Sequence, residues 1–374
     1  MGGLDRRKFL TGASLGAAGL AAGCDCAETC GVSAGPAAEG KTRKLKMVTT
    51  WPKNFPGVGD AADEVARRIS VMSGGAITVD VFAAGELVGA FEAFDAVAGG
   101  AADFYQGAEY YWVGKSKAYP FFTAVPFGMT AAEIMAWVNH GGGQALWDEL
   151  SAPFNVKAFQ AGNTGHQMGG WFKREIRSLE DLKGLKVRMP GLGGDVLRRL
   201  GAAAIAIPGG EIYQALQSGA IDGTEWIGPW NDLAFGFYQE APYYYGPGFH
   251  EPGAALGVGV NLDLWRDMDA REKLIVQTAC EAANNDSLSR YNYFNAVALE
   301  SLRRDKGVTP RPFPDDVMAA FARESKAVLE ATAKSDPMAK RVYDSYRDAM
   351  AKLSAWGDIS ESPYMNIRRE VYEI

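Results

Sequence analysis

The chain is short of cysteine, of histidine, of basic charge and of long apolar runs, and each shortage removes a class of protein. Of four cysteines in 374 residues, Cys24, Cys26 and Cys30 crowd near the start, which leaves Cys280 alone in the remainder. A disulfide framework is excluded by that distribution. His140, His166 and His250 are the only histidines and lack the spacing of a zinc site. Any bound metal would therefore be held mainly by oxygen, which favours sodium, calcium or magnesium. Lysine plus arginine number 38 against 45 Asp plus Glu, a formal net charge of -7, so a grip on nucleic-acid phosphates has no electrostatic footprint. An anionic ligand would need buried arginine supplied locally.

What is present is the composition of a soluble two-domain protein, 47% hydrophobic and 22% charged. Asp5-Arg6-Arg7-Lys8-Phe9-Leu10 sets a twin arginine before an Ala/Gly-rich apolar run that ends at Ala22. That order is an export signal of the twin-arginine route, assigned to residues 1–23, and it implies an extracytoplasmic mature protein. The run is shorter than the roughly 20 residues of a spanning helix, and no later segment is apolar enough to span a bilayer. Leu20-Ala21-Ala22-Gly23-Cys24 resembles a lipoprotein signal with its Leu one place early, so acylation of Cys24 and ordinary cleavage both stay open. Residues 24–43 read as a small-residue, Pro/Gly-rich tether.

From Lys44 the pattern is strand then helix. Leu45–Thr50, Ala76–Phe82 and Ala102–Gln106 read as strands with helices over Ala61–Met72 and Leu87–Ala98 between them, the β-α-β-α-β grammar of a parallel sheet. Val156–Gln160, Lys186–Met189 and Ala204–Ile207 repeat it with helices over Gly194–Leu200 and Ile212–Ser218. One proline-free helix is expected from Asp269 to about Arg304, long enough to run along two domains. Asp315 looks like an N-cap, helices follow over Val317–Lys334 and from Pro337 to about Trp356, and Cys280 reads as core. Residues 44–162 with 258–290 form domain I, 163–257 with 291–340 domain II, and 341–374 a C-terminal helix and tail.

Two motifs point elsewhere and fail on context. Gly12-Ala13-Ser14-Leu15-Gly16 has the nucleophile-elbow pattern but lies inside the export signal, so His140-Gly141-Gly142-Gly143 has no hydrolase partner and reads as close helix packing. Gly57-Val58-Gly59-Asp60 is a loose dinucleotide fingerprint separated from its strand by a loop with Pro52 and Pro56.

Four stretches carry a resemblance: Gly162-Asn163-Thr164-Gly165-His166-Gln167-Met168-Gly169-Gly170-Trp171-Phe172, Leu182-Lys183-Gly184-Leu185-Lys186-Val187-Arg188-Met189-Pro190-Gly191, Gly219-Ala220-Ile221-Asp222-Gly223-Thr224-Glu225-Trp226, and Ala241-Pro242-Tyr243-Tyr244-Tyr245. Together they resemble the solute-binding protein of a tripartite ATP-independent periplasmic (TRAP) transporter, in the branch for 2-oxo acids and related monocarboxylates. The resemblance runs from Leu45 to about Trp356. It implies a periplasmic-binding-protein-like α/β fold: two α/β domains with mostly parallel sheets, a ligand cleft between them and a long helix spanning both.

It also implies a site. Arg188, at a strand end facing the crevice, takes the ligand carboxylate with its planar fork. Gln167, Glu225 and the carbonyl of Trp226 surround a sodium or calcium ion that also contacts the ligand. Glu251 either reaches the same cavity or is a plain loop carboxylate. Asn163 either bonds the ligand or supports the Gly-rich turn, and Tyr110, with Tyr105-Gln106 and Tyr111-Trp112, is a candidate wall. No second arginine accompanies Gln167, which favours a monocarboxylate over dicarboxylates or acidic sugars. The implied partners are the TRAP membrane permease subunits and, if the helix from Pro337 exchanges instead of packing on its own domain, a second copy of the chain. The competing reading is an exported enzyme that activates water with Glu225 and an oxygen-ligated metal.

Overall fold

The computed structural model describes residues 41–373; the expected signal and tether, with Cys24, Cys26 and Cys30, lie outside the described residues. The chain opens β1 (Arg43–Thr49), α1 (Val58–Met72), β2 (Ile77–Phe82), α2 (Ala93–Ala98) and β3 (Phe104–Gly107). β1 lies between β2 and β3 and pairs with both in parallel, as the strand-helix alternation predicts. The helix expected over 87–98 is shorter. Gly89 is extended, its N–H is held by the Glu92 carboxylate at 3.0 Å, and a single 3-10 turn then leads into α2.

α3 (Ala131–His140) and α4 (Gly143–Ser151) follow. A Cβ at Gly141 would stand 2.9 Å from the Trp137 backbone, so the glycine run lets the second helix fold back tightly. β4 (Val156–Asn163) ends this stretch, and the chain crosses into a second sheet: β5 (Gly170–Phe172), β6 (Lys186–Arg188), α5 (Gly191–Arg199), β7 (Ala203–Ile205), α6 (Ile212–Ser218), β8 (Gly223–Thr224), α7 (Pro229–Phe235) and β9 (Tyr243–Tyr245). It crosses back to β10 (Ala255–Asn261) and finishes with α8 (Leu262–Asp267), α9 (Ala270–Lys306), α10 (Asp315–Ala333), α11 (Pro337–Gly357) and α12 (Glu361–Tyr372).

The sheet orders are β2-β1-β3-β10-β4 and β7-β6-β8-β5-β9. β1, β2 and β3 are mutually parallel, as are β6, β7 and β8, whereas β10, β5 and their partners pair antiparallel. The sheets are therefore mixed and not mostly parallel. The reason is the double crossing: Asn163 pairs with Ala255 and Gly170 with Tyr245, so the segments 164–169 and 246–254 run side by side in opposite directions. Thr164 N–H donates to Ala254 O at 3.0 Å, and Gln167 N–H to Glu251 O at 3.0 Å.

The long helix is real. α9 has 37 residues, about 55 Å at 1.5 Å per residue. A reciprocal capping box of Asp269 and Glu272 starts it, and left-handed Gly307 ends it. Its middle ties both lobes together: Ser287 Oγ accepts from Asn163 N–H and donates to Asn163 O, and Tyr291 hydroxyl donates to Asn231 Oδ1 at 2.8 Å. Cys280 lies buried on the face that packs on the first sheet, a free thiol pushed up to about 12 by burial. Asp315 proves to be the first residue of α10 with Pro314 at the cap. The tail that had no assignment is α12, which buries none of its residues.

Candidate functional site

The carboxyl ends of β3, β6 and β8 and the two crossovers meet between the sheets, where open α/β sheets place their ligands. Arg188 is the last residue of β6 and Glu225 follows β8; they are 1% and 0% exposed. β8 is held against β5 because Gly170 takes a left-handed φ of 118°, and a Cβ there would meet Thr224 O at 2.6 Å. This is the physical need behind one glycine of the Gln-Met-Gly-Gly-Trp motif.

Arg188 Nη1 donates to Glu225 Oε1 and, at 3.1 Å, to the Glu225 carbonyl. Its Nη2 lies 3.3 Å from the Tyr111 hydroxyl and its Nε 3.4 Å from Ile207 O, while the Trp226 ring stacks 5.0 Å from the guanidinium. Burial by itself lowers the pKa of this arginine, but Glu225, Tyr111, Tyr110 and Glu251 together hold it above its ordinary value. It is charged at every physiological pH.

A second group of atoms faces this pair. His250 Nε2 lies 3.3 Å from Glu225 Oε2, and Glu225, His250 and Glu251 each offer an atom within 4.8 Å of the others, all three buried. Gln167 Nε2 donates to Thr164 Oγ1 at 2.9 Å, which turns its Oε1 away from that bond. Among the described residues Gln167 Oε1, Glu251 Oε2 and His250 Nδ1 are buried with no hydrogen-bond partner. Burial, then the nearby Glu225, pushes the Glu251 carboxyl well above the usual range, against Arg188 and Tyr110. Such orphaned acceptors are costly unless something neutralises them. Oxygen-rich donors of this kind fit a hard cation.

The predicted residues fall in three groups. Arg188, Glu225, Gln167 and Glu251 converge, and Tyr110 flanks them, since its phenol acts on Glu251. Trp226 brings its ring against Arg188 and packs edge-on against Trp51 and Phe55. Asn163 is committed to the turn: its Oδ1 accepts from Gly165 N–H at 2.8 Å, and its Nδ2 sits 3.5 Å from Gly253 O. Two candidate walls, Tyr105 and Trp112, pack in the core of lobe I, while Gln106 Oε1 accepts at 3.2 Å from the indole of Trp51, whose ring packs on Trp226 and Tyr111.

His250 and Asp232 adjoin the site from positions that sequence reasoning did not single out. Asp232 is buried on α7 and takes hydrogen bonds from the Trp171 indole (2.9 Å) and the Tyr244 hydroxyl (2.8 Å), with Ile227 N–H 3.4 Å away. Burial pushes its carboxyl up to about 7. It braces the segment that carries Glu225 and Trp226. The only sequence signal was indirect, since a buried indole and phenol need an acceptor.

Two mixed α/β sheets, joined by paired crossovers and a shared long helix around a buried arginine, define the periplasmic-binding-protein class. The chain belongs to the DctP family, described as bacterial extracellular solute-binding protein, family 7, which matches residues 47–336. It is 40% identical over 364 residues, 97% of this chain and 98% of the relative, to the monocarboxylate 2-oxoacid-binding periplasmic protein all3028 of Nostoc sp.. Crystal structures of two TRAP periplasmic solute-binding proteins superpose closely. The one from Pseudoalteromonas atlantica, with bound sodium and pyruvate, has a TM-score of 0.85 at 38% identity; the one from Colwellia psychrerythraea, with bound calcium and pyruvate, has 0.85 at 41%. Each alignment covers 87% of this chain and 99% of the other. The family is one of solute-binding receptors and not of enzymes.

Proposed function

We propose that this protein is the extracytoplasmic receptor of a TRAP transporter, which binds a small 2-oxo or 2-hydroxy monocarboxylate together with sodium or calcium and delivers it to the membrane permease. The observation that carries this is the buried Arg188 beside the orphaned oxygens of Gln167 and Glu251. Arg188 binds the carboxylate through its planar fork, and Tyr111 steadies the Nη2 side of that fork. Glu225, Glu251, Gln167 and the Trp226 carbonyl would hold the cation, with His250 orienting Glu225. When bound, the ion would supply positive charge that offsets the two carboxylates, and a 2-oxo or 2-hydroxy acid offers a carboxylate oxygen and a neighbouring oxygen able to chelate it. Trp226 and Tyr110 exclude water from the pair.

A monocarboxylate is favoured because, among the described residues, Arg188 is the only arginine paired with a carboxylate of the cluster. A dicarboxylate or an acidic sugar would leave its further polar groups short of a charged partner. The deciding experiment is thermal unfolding of chelator-treated protein against pyruvate, longer 2-oxo acids, lactate, four-carbon dicarboxylates and sialic acid, each with sodium, calcium or neither. Ligand at a hundredfold excess over Kd should stabilise by about 2.7 kcal/mol. A cation-dependent shift with 2-oxo or 2-hydroxy acids is expected. A shift indifferent to cation, or confined to dicarboxylates, sinks the reading, and turnover of any of these acids would favour the exported-enzyme alternative.

Export by the twin-arginine route rests on Arg6-Arg7, with acylation of Cys24 as a membrane tether and ordinary cleavage of the signal both open. The helix from Pro337, α11, packs on α3 and α4 of its own chain, with Trp137 against Tyr346, so a homodimer would have to form through α12, whose Tyr364, Ile367, Val371 and Tyr372 are all exposed. Light scattering should give twice the chain mass for the mature protein and the monomer mass after truncation at Gly357. A monomer in both cases removes this part of the proposal.

A further inference from the structure

Lobe I holds a second buried carboxyl that makes no contact with the cation cluster. Glu109 is 0% exposed, and the side chains acting on it, Tyr105, Trp147 and Trp112, include no cation. The Tyr105 hydroxyl donates to Glu109 Oε1 at 2.9 Å. Glu109 Oε2 and the indole N–H groups of Trp112 and Trp147 are buried with no hydrogen-bond partner among the described residues. Tyr105 is thus the one donor bonded to the carboxyl, with the two indoles beside it. The titratable groups facing it are Tyr105 from β3 and Tyr119 from the turn Tyr119–Phe122. From β10 comes Gly257, where a Cβ would fall 2.2 Å from Glu109 Oε1, and from α4 comes Trp147.

Glu109 begins the 3-10 turn Glu109–Trp112. Residues three apart in such a turn eclipse one another, so Glu109 and Trp112 share the face toward the core. Tyr110 and Tyr111, between them, are left for the cleft, where they meet Glu251 and Arg188. The residue before the turn, Ala108, gives it no side-chain cap, and Thr123 Oγ1 accepts from Tyr110 N–H at 3.4 Å. Glu109 and Thr123 are therefore its two side-chain anchors.

We propose that Glu109 is a positioning residue for the ligand: by tying the turn to the Tyr105 hydroxyl inside the lobe I core, it sets Tyr110 and Tyr111 against the charged half of the pocket. This rests on the receptor reading above. Burial pushes the Glu109 carboxyl up to about 8, and loss of its proton would leave a charge beside aromatic rings with no counter-ion. Although the Tyr105 bond favours the ionised form, the cost of the buried charge is larger, so the fold around the turn, and with it ligand affinity, loses stability as pH rises through that value.

The test is calorimetric titration with pyruvate in saturating calcium, from about pH 6 to about pH 9.5, of the wild type, Glu109→Gln, Glu109→Ala and the double variant Glu109→Ala with Tyr111→Phe. Glu109→Ala should bind about tenfold more weakly, and Glu109→Gln, a neutral acceptor of the same shape, should restore most of that loss. The fall in wild-type affinity above about pH 8 should be missing in Glu109→Gln. The double variant should lose less than the sum of its parts, because the effect runs through Tyr111. If Glu109→Ala does not fold, the pH profile of Glu109→Gln carries the test. An alkaline fall retained in Glu109→Gln, or full additivity with Tyr111→Phe, overturns the proposal while leaving the receptor reading intact. A wild type that binds no 2-oxo acid with either cation overturns the receptor reading and the proposal with it.

Discussion

The two lobes contribute unlike halves to one pocket. Lobe II brings the charges, Arg188 and Glu225, on strand ends braced by Asp232; lobe I brings the phenols of Tyr110 and Tyr111, on a turn anchored by Glu109. Each half thus has a buried carboxyl behind it that accepts from a tyrosine hydroxyl, with the Trp171 indole added at Asp232. The difference is what the brace supports. Behind lobe II it holds an ion pair that must be desolvated, and behind lobe I it holds neutral groups that face that pair. Charge recognition is thereby kept on one lobe and the neutral wall of the pocket on the other.

This asymmetry is easiest to break from the charged side. Arg188→Ala should cost at least about a hundredfold in affinity and, by stranding Glu225, about 3–5 kcal/mol of stability; calorimetry and urea unfolding read the two losses. Pyruvate binding that survived the change would move anion recognition off lobe II. Glu225→Gln should lower affinity in calcium by about tenfold, to the level seen without cation. A Glu225→Gln protein still sharpened by calcium would exclude Glu225 as a ligand to the ion.

The braces are separated by their pH dependence. Both carboxyls have folded values above their ordinary ones, about 7 for Asp232 and about 8 for Glu109. In each case the folded state binds the extra proton, so stability is greatest in acid and declines as pH rises between the unfolded and folded values. Asp232→Asn should flatten the profile of unfolding free energy between about pH 4 and about pH 7 and leave a residual slope to about pH 8. An unchanged profile would mean that Asp232 is already ionised in the fold. The smallest effect belongs to Tyr111→Phe, which deletes one hydroxyl at Arg188 and should weaken pyruvate binding by about fivefold, close to 1 kcal/mol.

Much of this was legible beforehand, for reasons that are local. The opening β-α-β-α-β order follows from residue periodicity, α9 from a long proline-free stretch that opens at Asp269, and the strand-end place of Arg188 from the Lys-Val-Arg run. The short strands β5, β8 and β9 were not legible, because two or three residues give no periodicity and their pairing is decided by partners far along the chain. The aromatic run after β3 could not be sorted either: Tyr110 and Tyr111 face the cleft while Tyr105 and Trp112 enter the core, and only the 3-10 geometry of the turn tells them apart.

Sequence by itself determined which chemistry was available: one motif arginine, a glutamate after an Asp-Gly turn, a glutamine beside a glycine pair, few histidines and almost no cysteine. Tertiary structure alone decided that His250 and Glu251 meet Glu225, that Asn163 serves a turn, that the sheets are mixed, and that Glu109 and Asp232 stand behind the pocket. The physical reason is topological. Local spacing sets which side chains share a strand or a helix face, but the antiparallel crossovers between lobes set which distant segments become neighbours, and burial there turns ordinary carboxyls into structural ones.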